Sequence, residues 1–133
     1  MRGFIIALAL ALASVCAWAA PADTAVVGIG SDTLFTVASG GGMTAAERQQ
    51  VVAHRLVEVL SILRAGQDPK VEIRTEAGAP VLYAAGLRLI CVTQQDAKLH
   101  RSTMEGIALV WSKHADMLLR KVAPVQQPTV APH

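Results

Sequence analysis

Histidines, a cysteine and a run of glycines are the residues with the most chemical reach in this 133-residue chain. His54, His100, His114 and His133 could bind a metal or carry a proton near neutral pH. None is read as paired with another histidine, a cysteine or a carboxylate at ligand spacing, so no metal set is expected. His54 and His114 fall on predicted helices beside their apolar stripes, as surface or boundary residues do. They would form a ligand pair only if those helices were neighbours. Cys91 lies in Leu89-Ile90-Cys91-Val92, an apolar run that reads as a buried strand with a small core residue. A reactive thiol or an intermolecular disulfide is the alternative. Gly40-Gly41-Gly42 precedes a helix N-terminus, where free N–H groups favour anions. No Lys-Ser/Thr follows as in a P-loop, and Thr44 and Glu47 already occupy part of that terminus, so a flexible connector is expected.

The remaining chemical patterns are thin. Gly28-Ile29-Gly30 lacks the third glycine of a dinucleotide fingerprint, and no Gly-x-Ser-x-Gly elbow occurs. Asp32, Asp68, Asp96 and Asp116 read as capping, turn and surface residues, with Asp96 opening a helical turn. Phe35, Tyr83 and Trp111 are too few for a base- or sugar-stacking surface. The reading therefore assigns no catalytic, cofactor-binding or metal-ligating residue, expects no cofactor, and is non-enzymatic.

The elements that would position any site begin after an address label. Met1-Arg2 starts the chain with a positive charge, and Gly3 to Val15 is almost wholly apolar. That run is roughly 13 residues, short of the ~20 that span a bilayer. Ala17-Trp18-Ala19 supplies the small-x-small cleavage pattern, so residues 1–19 read as a secretory signal peptide cut after Ala19. The expected location is periplasmic or secreted, with no stable membrane insertion after cleavage. Loss of Arg2 lowers the formal net charge of +2 to about +1, which leaves no electrostatic footprint for nucleic acid. Cys16 leaves as well, so Cys91 stands alone and no internal disulfide is expected.

Residues 20–31 read as a flexible lead-in, because Gly28 and Gly30 limit regular structure. Residues 32–122 read as one domain and 123–133 as a Pro-rich disordered tail. Asp32–Val37 alternates as a strand. Thr44-Ala45-Ala46-Glu47 is a capping box, followed by an apolar stripe of Val52, Leu56, Val59, Leu60 and Leu63 that Gly66 and Pro69 end. Val71–Thr75, Pro80–Ala84 and Leu87–Thr93 read as three strands of a meander. Ser102-Thr103-Met104-Glu105 reads as a second capping box, ahead of Met104, Ile107, Ala108, Trp111, Ala115, Leu118 and Val122 on one helical face. The predicted fold is α+β: a small β-α-β-β-β-α sandwich, a four-stranded antiparallel sheet with two amphipathic helices on one face.

Several of these segments together resemble a known family. Asp32-Thr33-Leu34-Phe35-Thr36-Val37, Thr44-Ala45-Ala46-Glu47-Arg48 leading to Arg55-Leu56, Ala79-Pro80-Val81-Leu82-Tyr83-Ala84-Ala85-Gly86, Val92-Thr93-Gln94-Gln95-Asp96-Ala97 and Trp111 occur in this order. The arrangement resembles the periplasmic N-terminal region that precedes the membrane part of some bacterial small-conductance mechanosensitive (MscS-type) channels. The resemblance implies an extracytoplasmic accessory domain whose partner is an envelope membrane protein or channel, and it carries over no catalytic residue. A second reading is a periplasmic small-ligand or metal-binding module that uses His54, His114 and the Gly40–Gly42 loop.

Overall fold

The computed structural model describes residues 23–123, so the expected signal peptide over 1–19 and all but the first residue of the expected tail over 123–133 lie outside the described residues. The fold is α+β, with five strands and three helices among the described residues. The chain runs β1 (Thr24–Ile29), β2 (Asp32–Ala38), α1 (Ala45–Ile62), β3 (Glu72–Glu76), β4 (Ala79–Ala84), β5 (Leu87–Cys91), α2 (Gln94–Leu99) and α3 (Met104–Val122).

The strands form two antiparallel sheets, β1-β2 and β3-β4-β5, in place of the expected four-stranded sheet. The expected lead-in is the missing partner: β1 pairs with β2 from Thr24↔Ala38 to Ile29↔Asp32. Gly28 does not break this strand. It sits where the register shifts, and a Cβ there would lie 2.9 Å from the Asp32 carbonyl oxygen. Glycine thus permits a bulge and a close backbone approach.

The meander β3-β4-β5 is closed by two short turns, Ala77-Gly78 and Ala85-Gly86. All four turn residues have positive φ, 51° and 79° in the first and 52° and 78° in the second. These are the values of type I′ hairpin turns, whose twist matches the flanking strands. Alanine is a poor occupant of the first position, because its Cβ crowds the backbone there. Ala77 is exposed, so Ala77→Asn should raise stability by about 0.5–1 kcal/mol, read as a higher urea midpoint with unchanged m-value.

The Thr44 capping box forms as expected: the Thr44 hydroxyl accepts from the Glu47 N–H, and the Glu47 carboxylate accepts from the Thr44 N–H. The helix ends at Ile62, with Leu63 as its cap, before the expected Gly66 stop. The cap of α3 is Thr103, one residue later than expected, and its hydroxyl accepts from Gly106, so no reciprocal carboxylate bond forms. The apolar periods of both long helices match the sequence pattern. A single core joins Val27, Leu34, Phe35 and Val37 of the hairpin to Val52, Leu56 and Val59 of α1, Leu82 and Leu89 of the meander, and Ile107, Trp111 and Leu118 of α3.

Candidate functional site

The histidines do not converge. His54 is exposed on α1 and meets Glu58 one turn on at 3.2 Å, a carboxylate partner the sequence reading did not count. His114 lies on α3 in a separate groove beside His100 and Trp111. His100 Nε2 donates to the Thr36 carbonyl at 2.7 Å, which fixes its ring edge-on to Trp111. Among the described residues, no group of three His, Cys, Asp or Glu side chains is placed to hold a metal ion.

The glycine run is neither a cradle nor a loose connector. Gly40 and Met43 exchange two backbone hydrogen bonds of 3.0 and 3.1 Å around Gly41 and Gly42, whose φ values are 61° and 78°. This is a tight I′-type turn. Two of the N–H groups at the α1 N-terminus are also taken, Ala45 by the Asp23 carboxylate and Glu47 by Thr44. A negative side chain there complements the helix dipole, so the chain supplies its own anion. Cys91 is the last residue of β5 and is half-buried, not a core residue as expected.

The centre of the molecule is a charged knot instead. Arg48 and Asp96 are both buried and form a bidentate pair, Nη1 to Oδ1 at 2.8 Å and Nη2 to Oδ2 at 2.9 Å. Asp96 also accepts from the Ala38 N–H, the Thr93 N–H and the Thr93 hydroxyl, each at 2.9 Å. The Arg48 guanidinium donates onward to the carbonyls of Ala38 at 2.6 Å and Cys91 at 2.9 Å. It therefore bridges the ends of β2 and β5, and the two sheets are stitched by a guanidinium where a ladder could have run. Gly40 is part of this fit, since a Cβ there would stand 2.7 Å from the Thr93 hydroxyl. Among the described residues no buried side-chain polar atom lacks a partner.

Burial alone would raise the Asp96 carboxyl, but hydrogen bonds from Arg48, Ala38 and Thr93 outweigh it and hold the group below the ordinary aspartate range. A carboxyl depressed in the folded state adds stability above its unfolded pKa of about 3.9 and loses it as pH falls through the folded value. The urea midpoint should thus hold from neutral pH to about pH 5 and fall below about pH 4, and Asp96→Asn should flatten that fall.

The other conspicuous feature is an uncovered edge. β3 is the outer strand of its sheet, and Glu72, Ile73, Arg74 and Thr75 are all exposed. Since Glu76↔Ala79 closes the two-residue turn, antiparallel alternation turns the N–H and C=O of Ile73 and Thr75 to the free side. One face of the strand is polar: Arg74 pairs with Glu72 at 3.1 Å and lies 4.0 Å over the Tyr83 ring, and the Tyr83 hydroxyl donates to Glu76. The other face borders a shallow, largely apolar groove against α3, lined by Ile73, Thr75, Pro80, Ala108 and Leu109 with the Glu105 carboxylate at its side. Leu109 is 55% exposed.

A family model described as "Domain of unknown function (DUF8459)" matches residues 25–120. The chain belongs to this family. The DUF8459 span opens inside β1 and closes inside α3, so it takes in the expected lead-in, the charged knot and the β3 edge. No curated protein and no solved structure matches the chain. No helix among the described residues is long and apolar enough to cross a membrane.

The sequence reading missed Arg48, although a signal was present. Arg48, Val52 and Leu56 follow at i, i+4 and i+8, so the arginine continues the buried stripe of α1 by one turn. A charged residue in line with an apolar stripe requires a buried counter-charge. Thr93-Gln94-Gln95-Asp96 spells the cap that holds that counter-charge, with Asp96 reaching back to the Thr93 N–H.

Proposed function

We propose that this protein is a non-enzymatic extracytoplasmic domain that binds an envelope membrane protein by taking an extended segment of it along β3. The observation that carries the reading is the uncovered β3 edge beside the apolar groove on α3. An exposed edge strand offers free backbone donors and acceptors, and alternate side chains of an added strand would drop into the groove between Ile73 and Leu109. The signal peptide supports the compartment, and the likeness of the domain to the periplasmic region of MscS-type channels supports a membrane protein as partner.

Thr75→Pro tests this directly. Its N–H points to the free edge, where proline is tolerated by the fold but blocks strand addition. Pull-down from envelope extract with the intact protein should recover one recurrent membrane protein, at least tenfold depleted with Thr75→Pro at an unchanged melting temperature. Undiminished recovery with that variant, or no recurrent partner at all, overturns the proposal.

A further inference from the structure

A second concave site lies away from the β3 edge, where α1, the end of β5 and the Gly40–Met43 turn meet. Its cavity is about 260 Å³ and opens to solvent. The walls are largely apolar and include Met43, Val51, Val52 and Ile90. Three guanidinium groups also border it: Arg48, Arg55 and Arg88. Their states differ. Arg48 is neutralised by Asp96. Arg88 is exposed and has only a long ion pair with Glu76, 3.8 Å. Arg55 is half-buried and has no hydrogen-bond or ion-pair partner among the described residues. Among the described residues no carboxylate lines the cavity. Apolar walls beside one unpaired guanidinium and one held only by a long ion pair favour a ligand with an apolar body and one negative head, because only such a ligand gains from both. A cavity of about 150 Å³ accommodates benzene, so this one has room for a ring or short chain with its head group.

We propose that this cavity binds a small amphipathic carboxylate, with Arg55 and Arg88 holding the head and the apolar walls holding the body. Arginine suits the role, since its planar fork matches a carboxylate. The half-buried Cys91 thiol lines the same cavity and serves as a built-in reporter of occupancy.

Octanoate and 3-phenylpropionate are the probes, used on the intact protein by calorimetric titration and by the rate of Cys91 labelling with a soluble maleimide. Either probe should bind at sub-millimolar concentration and slow labelling at least fivefold. Arg55→Gln and Arg88→Gln should each weaken binding about tenfold with an unchanged melting temperature, and octanamide should bind at least tenfold more weakly than octanoate. Absence of heat together with unprotected Cys91 at several millimolar probe overturns the proposal. So does equal affinity for octanamide and octanoate, or binding that neither arginine variant changes. Thr75→Pro should leave carboxylate binding intact, so this result and that of the strand-edge experiment are read separately.

Discussion

Asp96→Ala is expected to destabilise the protein by about 3–5 kcal/mol, the cost of leaving a buried charge without its partner. The Arg48 side chain is 5% exposed, so water cannot replace the lost carboxylate. The backbone N–H groups of Ala38 and Thr93 lose their acceptor at the same time. Small domains have only about 5–15 kcal/mol in total, so the variant should be largely unfolded in mild urea. The expected partner of this result is non-additivity. Arg48→Met alone removes the other half of the pair and should cost a comparable amount. The double variant should cost clearly less than the two together, because neither charge is then stranded. It should not return to wild type, since the Ala38 and Thr93 donors stay unsatisfied. Urea denaturation of the four proteins measures the coupling, and additive losses would show that the two residues stabilise the fold independently.

Trp111→Ala should cost about 3–5 kcal/mol as well, by a different route. Trp111 is 3% exposed on α3, its ring centroid lies 4.8 Å from that of Phe35 on β2, and the His100 ring meets it edge-on. Truncation opens a cavity between the hairpin and α3 that neither strand nor helix can close without giving up its own pairing. For a domain of this size each kcal/mol is worth about 4–8 °C, so the melting midpoint should fall by roughly 12 °C or more. Trp111→Phe keeps much of the ring volume and should lose far less. An unchanged midpoint for the alanine variant, followed by circular dichroism, would remove Trp111 from the core.

The parts of the fold that were legible in the sequence are those specified by neighbours along the chain. The Thr44–Glu47 box, the α3 stripe through Trp111 and the glycine-bearing turns of the meander each carry their cause within a few residues. β1 was not legible because only Val27 of its six residues is buried, so alternation gives no signal, and Gly28 looks like a breaker when it serves a bulge. The split into two sheets was not legible because it depends on where one guanidinium lies relative to two strand ends. Edge status is likewise a property of the sheet and not of the strand. Glu72–Glu76 alternates as any half-buried strand does, and only the strand order shows that none of the described strands pairs with its outer side.

The charged knot also bears on time. Its contacts join residues 48 and 58 positions apart, Arg48 to Asp96 and Ala38 to Asp96. Links of that span close large loops, whose entropy must be lost before the contact repays it, so they are expected to form after the local hairpins and helices. Interactions absent from the folding transition state govern how fast the native state opens. The Arg48–Asp96 pair is therefore expected to act as a latch: Asp96→Ala should speed unfolding far more than it slows folding, which the two arms of a urea chevron measure.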